Sequence, residues 1–585
     1  MRKTKIICTI GPASEDRETL TQIFHAGMNA SRHNFSHGDH EEHGGRIRLV
    51  QQLSKELNKP VSIILDTKGP EIRTGSFAEG KVELKEGDSF VIKCGEDVLG
   101  DKTQCSVSYK DLYKDVVPGN MILIDDGLVG LKVQKVEGKD IHCIVRNSGM
   151  VGSKKGVNVP GVSINLPAIT EKDVDDLKFG IKIGVNIVAA SFVRKASDVL
   201  QVRKVLNENG GEHVLIFSKI ENQEGVNNLD EILKFSDGIM VARGDLGVEI
   251  PIEQVPLVQK MIIEKCNYVG KPVITATQML DSMMRNPRPT RAEASDVANA
   301  IFDGTDCIML SGETANGKYP VEAVKTMSRI AEEAEKKLNY EASLKKKRKE
   351  HIPNVSNAIS LAACNTAMEL NASAIITATQ SGYTAKNVSK YRPECPIIAI
   401  TPYESVAKNL AVIWGVCPIV AENSEGTDEL IDKSINAALK ENLVSKGDLV
   451  VFAAGIPINQ VGSTNMLQVN VVGDILLTGK GEGLNPGSGT VFVANSAEEA
   501  IEQLEEGNIL IVKSLTKDYL PLLDKVGGII VEENVTSETV IECLAREIPL
   551  ISGAEGATTV LKNGSFITLD VARGMVINGK ANIQW

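Results

Sequence analysis

Short apolar runs alternate with amphipathic stretches over the first half of the chain. Eight runs have the length and residue types of buried β-strands, and they cover residues 4–10, 28–33, 61–66, 186–191, 214–219, 238–242, 272–277 and 306–310. Stretches with helical spacing, such as 196–206 and 253–267, separate most of them. Strands that alternate with helices form parallel sheets. Eight such units predict a (β/α)8 TIM barrel.

Polar and charged residues recur where these runs end. They are Arg32, Asn34, Asp66, Thr67, Ser191, Lys219, Glu221, Asp245, Thr277, Ser311 and Glu313. A (β/α)8 barrel gathers the C-terminal ends of its strands at one face, which carries the active site. Lys219 and Glu221 lie two residues apart and would project from the same side of a strand. A cation beside a carboxylate suits metal and phosphate, and the alternative is a solvated ion pair.

Three further regions interrupt or follow the barrel pattern, which we assign to residues 1–70 and 169–340. Residues 71–168 contain short runs, many glycines and little helical periodicity. This texture predicts an inserted β-rich domain that closes over the site as a lid. Residues 341–473 alternate helical and apolar patterns again, which predicts a separate α/β regulatory domain. The glycine-rich segment 478–489 marks an extra small C-terminal domain, residues 474–585.

Charge and cysteine usage limit the partners and the compartment. The chain has 585 residues and a net charge of −12, which opposes binding to nucleic acid or an anionic membrane. An anionic ligand must therefore meet a local cationic site. The ten cysteines are scattered without a CxxC pair, and no apolar run approaches the roughly 20 residues of a membrane span. We expect a cytoplasmic protein with reduced thiols.

The motifs of the chain resemble those of the pyruvate kinase family. KIENQEG, VARGDLGVEI, RPTRAEASDVANA and MLSGETANGKYP match that family's segments, as do NFSHG, LDTKGPEIRT and SKKGVN. They follow in matching order from residue 1 to about 472. The resemblance implies a glycolytic homotetramer that transfers phosphate from phosphoenolpyruvate to ADP, giving pyruvate and ATP. It also implies Mg2+, with Mn2+ as an alternative, K+, and activation by a phosphometabolite.

The same resemblance implies roles for individual residues. Lys219, Thr277 and Arg32 would be catalytic, and Arg32, Gly244, Asp245 and Thr277 would bind phosphoenolpyruvate. Glu221 and Asp245 would hold Mg2+, and Asn34, Ser36, Asp66 and Thr67 would hold K+. The nucleotide would contact Asn34, Phe35, Ser36, His37, Arg73 and Lys155. Glu71 fits K+ dependence, because an acidic residue at this position accompanies that dependence in the family.

The group that delivers a proton to the enolate stays open at this stage. Thr277, Ser311 and Glu313 are candidates for positioning or relaying that proton through water. For Thr277 and Ser311 the alternative is a hydroxyl that caps a strand end or a helix.

Two segments extend or alter the family's pattern within the first 472 residues. Ala30, Ser31 and His33 replace a more aliphatic pattern around Arg32, so we expect altered packing and stability rather than lost chemistry. Hydroxyls and a glycine precede an apparent helix at Thr379, Ser381, Gly382 and Thr384. This arrangement suits a phosphate, and a plain helix cap is the alternative. The resemblance to the family implies that the loop is an effector site.

The tail after about residue 474 resembles the phosphohistidine domain of phosphoenolpyruvate-using synthases. In the segment VTSETV, Glu538 stands where the histidine would be. We therefore expect a packing or regulatory role for the tail. The other two hypotheses for the whole chain are a phosphotransferase that works through this tail and a noncatalytic metabolite sensor. Glu538 argues against the first, and Lys219, Glu221, Asp245, Arg32 and Thr277 together argue against the second.

Overall fold

The computed structural model describes residues 1–350, 352–424, 426–457, 462–483, 485–581 and 583. By their contacts these residues divide into two compact units. The first is mainly Met1–Leu361 and Thr379–Val420, and the second is mainly Ala362–Ala378, Ala421–Gln460 and Thr464–Trp585. No helix in the described part of the chain has the length and apolar character needed to cross a membrane.

The part of the chain up to residue 369 contains sixteen strands and fourteen α-helices among its described residues. The strands are β1 (Lys5–Thr9), β2 (Met28–Asn34), β3 (Ser62–Asp66), β4 (Lys81–Leu84), β5 (Ser89–Lys93), β6 (Gln104–Ser106), β7 (Met121–Ile124), β8 (Val129–Glu137), β9 (Asp140–Val145), β10 (Gly149–Gly152), β11 (Val157–Asn158), β12 (Ile187–Ala190), β13 (Leu215–Ile220), β14 (Gly238–Ala242), β15 (Val273–Ala276) and β16 (Cys307–Leu310). The helices are α1 (Arg17–Ala26), α2 (His40–Glu56), α3 (Leu112–Asp115), α4 (Glu171–Ile183), α5 (Ala196–Glu208), α6 (Gln223–Asn227), α7 (Leu229–Phe235), α8 (Arg243–Glu249), α9 (Val255–Val269), α10 (Arg291–Asp303), α11 (Gly312–Ala315), α12 (Pro320–Glu335), α13 (Tyr340–Glu350) and α14 (Val355–Glu369). Short 3-10 helices cover Ile252–Gln254 and Asp281–Met284.

Eight of these strands form a closed parallel barrel in the order β1-β16-β15-β14-β13-β12-β3-β2. Each of the eight apolar runs overlaps one barrel strand to within one residue at each end, so the predicted (β/α)8 barrel is confirmed. The strands are almost wholly buried because helices cover the outer face of the barrel and side chains fill its interior. Capping residues set where helices begin: Thr170 starts α4 and Thr290 starts α10, each with a reciprocal capping box.

The insertion between β3 and α4 is β-rich, as predicted. It contains a two-stranded sheet of β4 and β10 and a six-stranded sheet in the order β11-β7-β8-β9-β5-β6. Most neighbouring strands are antiparallel and alternate buried with exposed residues, which is the pattern of a sheet with one solvated face. Phe90, Ile122 and Leu131 belong to its own apolar core.

The rest of the chain is also of mixed α/β type. Its strands are β17 (Ala374–Ala378), β18 (Ile397–Thr401), β19 (Val416–Val420), β20 (Leu449–Ala454), β21 (Met466–Val471), β22 (Ile475–Thr478), β23 (Lys480–Glu482), β24 (Gly487–Val493), β25 (Ile509–Val512), β26 (Gly528–Val531), β27 (Leu550–Ser552), β28 (Phe566–Asp570) and β29 (Met575–Asn578). Its helices are α15 (Tyr383–Ser389), α16 (Glu404–Leu410), α17 (Thr427–Lys440), α18 (Ala497–Gln503), α19 (Ser537–Ala545) and α20 (Ala557–Val560), with a 3-10 helix at Lys517–Leu522.

Each unit contains strand pairs of its own. In the first unit β18 and β19 are parallel neighbours. In the second unit β20 lies between parallel β17 and antiparallel β21. The tail forms an eight-stranded sheet in the order β22-β29-β28-β24-β25-β26-β27-β23. Leu510 and Ile530 are among its fully buried residues.

Candidate active site

Lys219 is the centre of a buried charge network at the C-terminal end of the barrel strands. It lies on β13 and is 8% exposed. Its ammonium is 3.1 Å from Asp66 Oδ1, 2.9 Å from Glu221 Oε1, and donates to Ser191 Oγ at 2.8 Å. These partners come from three neighbouring parts of the barrel rim, after β3, β12 and β13. Burial alone would lower the pKa of Lys219, but the two carboxylates outweigh burial and raise it.

Arg32 extends this network to the next strand. Its Nε donates to Asp66 Oδ2 at 2.6 Å, and its Nη1 donates to Thr9 Oγ1 at 3.1 Å. Burial of Asp66 would raise the pKa of its carboxyl, but Arg32 and Lys219 lower it below its usual value. Asp66 is therefore ionised and holds two cations at the barrel mouth.

Glu221 and Asp245 place two acidic groups side by side. Burial raises the pKa of Glu221, Lys219 opposes the shift, and the charge of Asp245 adds to it. Two carboxylates that repel each other fit a divalent cation, and they leave its other positions to substrate and water. No cluster of three or more His, Cys, Asp or Glu that could hold a metal occurs in the described residues. Glu221 and Asp245 are close enough to interact electrostatically, and their role as Mg2+ ligands stays a prediction.

Thr277 has a backbone conformation that is rare for a β-branched residue. It follows β15 with a φ of 67°, and its Oγ1 accepts from the Gly244 amide at 2.7 Å. Arg243 supports this turn, because its guanidinium donates to the Ala276 carbonyl at 3.1 Å and to the Thr277 carbonyl at 2.7 Å. The Gly244 amide and the Thr277 hydroxyl are therefore bonded to each other. The substrate-carboxylate site predicted for them stays a prediction.

The four predicted K+ ligands lie where β2 and β3 end. Asn34 and Asp66 are paired in the strand register, and Asn34 Oδ1 accepts from the Ser36 amide at 3.2 Å. Thr67 Oγ1 accepts from the Ser191 amide at 3.1 Å. The set offers oxygen donors, which a K+ ion requires.

Glu71 and Arg73 form an ion pair in the insertion. Arg73 Nη2 is 2.7 Å from Glu71 Oε2, and Arg73 Nη1 donates to the Lys154 carbonyl at 2.7 Å. The Arg73 side chain is 39% exposed, so it is accessible to a nucleotide phosphate. Lys155 is similarly accessible and lies 3.0 Å from Asp125.

The two other predicted nucleotide contacts differ in accessibility. His37 is exposed, and its carbonyl accepts from His43 Nε2 at 2.7 Å. The Phe35 side chain is 1% exposed and stacks on His43 at 4.1 Å between ring centroids. Phe35 therefore packs α2 onto the barrel, and its side chain is not accessible to a nucleotide.

Two of the candidates for proton delivery, Ser311 and Glu313, follow β16 at the start of α11. The Glu313 carboxylate accepts from the Leu280 amide at 3.0 Å and the Ser311 amide at 2.7 Å, and burial raises its pKa. Ser311 Oγ is buried without a hydrogen-bond partner among the described residues. Glu313 therefore stabilises the backbone by accepting from two amides. The Ser311 hydroxyl is free to turn toward a ligand.

The predicted effector loop is ordered by its own hydrogen bond. Thr379 Oγ1 accepts from the Gly382 amide at 3.0 Å, and Gly382 has a φ of 82°, which favours glycine. Ser381 is exposed, whereas Thr384 is 2% exposed and faces the interior. The loop thus presents Ser381 and backbone amides before α15.

Two residues contribute more than the sequence pattern indicated. Ser191 appeared among the strand-end residues without a role, and it links Lys219 to the Thr67 carbonyl, to which it donates at 2.6 Å. Arg243 ended an apolar run, but nothing in the sequence pairs it with the Thr277 turn. The insertion also contacts the barrel, since Asn158 donates to Glu249 at 2.8 Å beside a cavity of about 300 Å3.

The barrel surrounds a buried lysine, an arginine and paired carboxylates, and a β-rich insertion lies beside them. These features define a (β/α)8-barrel phosphotransferase. Comparisons with known proteins identify the family. The family model for the pyruvate kinase barrel domain matches residues 1–324, and that for the pyruvate kinase alpha/beta domain matches residues 357–470. The mobile domain of PEP-utilising enzymes matches residues 504–574. The chain belongs to the pyruvate kinase family.

Individual relatives agree with this assignment. A pyruvate kinase from Geobacillus stearothermophilus is 52% identical over 585 residues, which is 100% of both chains. A pyruvate kinase from Clostridium acetobutylicum is 66% identical over 472 residues, which is 81% of this chain and 100% of its own. The crystal structure of a pyruvate kinase from Cryptosporidium parvum has a TM-score of 0.78 at 42% identity and covers 80% of this chain and 96% of that one.

Proposed function

We propose that this protein transfers the phosphoryl group of phosphoenolpyruvate to ADP, giving pyruvate and ATP. The observation that carries the proposal is the Lys219 ammonium, buried between Asp66 and Glu221 at the barrel mouth. Phosphoryl transfer places charge on the equatorial oxygens of the migrating group, and a fixed cation stabilises that charge. Because its carboxylate partners raise its pKa, Lys219 stays charged throughout the working pH range.

The other residues of the mouth orient the substrate. Arg32 has a planar guanidinium that binds phosphate well, and Asp66 fixes its direction. The Gly244 and Asp245 amides and the Thr277 hydroxyl bind the substrate carboxylate, which replaces the hydrogen bond between Gly244 and Thr277. An oxygen of the ADP β-phosphate attacks phosphorus, the bond to the enol oxygen breaks, and the enolate takes a proton at carbon.

Bound cations complete the site in this proposal. Glu221 and Asp245 hold Mg2+, or Mn2+ in its place, which supplies positive charge to the phosphoryl oxygens. Asn34, Ser36, Asp66 and Thr67 hold K+. Arg73 and Lys155, which are both accessible, meet the nucleotide phosphates together with the segment from Asn34 to His37.

Regulation and assembly form the finer part of the proposal. The loop with Thr379, Ser381, Gly382 and Thr384 binds the phosphate of an activating phosphometabolite, and the protein assembles as a homotetramer. The tail does not carry phosphate, because residues 352–585 contain no histidine and Glu538 is exposed at the start of α19.

The test is pyruvate formation from phosphoenolpyruvate and ADP with Mg2+, measured with K+ and with Na+. AMP, ribose 5-phosphate and fructose 1,6-bisphosphate are added in turn. We expect turnover that requires K+ and rises with one of the three phosphometabolites. Absence of turnover under every condition would reject the proposed reaction, and equal rates with K+ and Na+ would reject only the K+ site.

A further inference from the structure

A second cavity in the first unit shares no lining residue with the barrel mouth or with the loop at 379–384. Its volume is about 570 Å3, which is in the size range of small-molecule sites. The walls are formed by α9, the end of α10, α13 and the segment from Lys390 to Trp414. The proposed reaction uses none of these residues.

Cations face this cavity without matching carboxylates. Lys390 is only 8% exposed, and no described residue forms a hydrogen bond or ion pair with its ammonium. The neighbours of that ammonium are the rings of Tyr268 and Tyr391, at 6.0 Å and 5.8 Å. Lys347 on α13 likewise has no hydrogen bond or ion pair among the described residues. A buried ammonium group without a counterion is costly, so the buried Lys390, together with the half-buried Lys347, points to a ligand.

The acidic groups nearby are largely committed to other partners. Glu264 is 2.8 Å from Lys346, and Asp303 pairs with Lys260. Asp306 pairs with Arg392 at 2.8 Å. Glu350 is the remaining carboxylate of the lining. The two lysines therefore present more positive charge to the cavity than its walls neutralise.

Aromatic side chains form one wall of the cavity, in which the ring planes of Tyr340 and Trp414 are tilted by 48° to each other. Tyr340 and Trp414 lie 6.5 Å apart between ring centroids, and Tyr268 and Phe302 also line the cavity. Rings of this kind favour a planar or apolar ligand body, whereas the lysines favour an anionic group.

We propose that this cavity binds a small organic anion, with its phosphate on Lys347 and Lys390 and its planar body against Tyr340 and Trp414. The site is additional to the active site of the proposed function and does not depend on it. Burial and the neighbouring Arg392 lower the pKa of Lys347 to about 7, and burial lowers that of Lys390. A bound anion would favour the charged form of both lysines.

The test is calorimetric titration of the full-length protein with phenyl phosphate, which combines a planar body with a dianionic group. We expect saturable binding that the Lys347→Met, Lys390→Met double variant weakens by about tenfold or more. Inorganic phosphate carries only the anionic group of the probe, and benzyl alcohol carries only the planar ring. We expect both to bind more weakly than phenyl phosphate.

The matched control is the Lys345→Met, Lys349→Met double variant, which removes two exposed charges from the same helix. It should keep the affinity of the unmodified protein, and both double variants should keep pyruvate formation. Phenyl phosphate binding that is absent from the unmodified protein, or equal in the two double variants, would overturn the proposal. Equal binding of inorganic phosphate would overturn the role of the aromatic wall.

Discussion

The barrel mouth and the start of α19 in the tail both place acidic residues where strands give way to helices, but their surroundings differ. At the mouth, Asp66 and Glu221 are buried and lie within 3.1 Å of the Lys219 ammonium. In the tail, Glu538 is exposed, and Thr536 caps the helix by accepting from the Thr539 amide. A reactive site made of strand-end residues therefore requires several strands that place opposite charges in one buried volume.

This difference also explains why the two regions tolerate change differently. A buried charge loses its solvation and must keep its partners, whereas an exposed carboxylate stays solvated whether or not it has one. Substitutions at the mouth should therefore have large effects and those at Glu538 small ones.

The largest effect is expected for Lys219→Met. The substitution removes the fixed charge that stabilises the transferring phosphoryl group, so we expect kcat to fall by about 10^3-fold or more. The measurement is steady-state pyruvate formation, with phosphoenolpyruvate binding followed separately. Lys204→Met, at a lysine whose side chain is 73% exposed on α5, is the control and should leave kcat unchanged. Unchanged turnover in Lys219→Met would refute the catalytic role.

Much of the mouth was predictable because barrel strands are apolar runs, and the polar residues at their ends can be identified from the sequence alone. All eight runs correspond to strands of the closed barrel, whose C-terminal ends lie at one face. The contacts that hold Thr277 were not predictable, because the Arg243 guanidinium reaches across to carbonyls more than thirty positions away. Likewise, the buried state of Phe35 depends on stacking against His43, which sequence spacing alone does not specify.

The next largest effect concerns the proposed dependence on K+. Glu71→Lys places a positive charge on the insertion beside Arg73, and under the proposed function this charge takes the place of the K+ ion. We expect the unmodified protein to lose activity by on the order of 10^2-fold when Na+ replaces K+, and the variant to lose almost none. Rates in both salts at constant ionic strength are the measurement. Glu71→Gln, which removes charge without adding a cation, should not become independent of K+.

A smaller effect is expected on the acid stability of the barrel. Burial lowers the pKa of His33 from 6.5 to about 3, with a contribution from His43, and its Nδ1 has no partner among the described residues. Between these values the unfolded chain binds a proton that native His33 does not. Stability should therefore fall as pH decreases below 6.5, by up to about 1.4 kcal/mol per pH unit.

His33→Leu removes this titration and replaces the imidazole with an apolar side chain of similar size. Urea unfolding midpoints at several pH values below 6.5 should depend less steeply on pH in the variant than in the unmodified protein. His213→Gln, at an exposed histidine, is the control and should keep the original slope. Equal slopes in His33→Leu and the unmodified protein would show that His33 is protonated in the folded state.

The smallest effect is expected for Glu538→Ala, which tests the exposed acidic residue of the tail. Its carboxylate is exposed in the first turn of α19, so its loss should cost about 0.5 kcal/mol of helix stabilisation and change kcat by less than about twofold. Glu542→Ala removes another carboxylate from the same helix and should behave alike in steady-state assays and thermal unfolding. A fall in kcat confined to Glu538→Ala would place the tail in the chemistry.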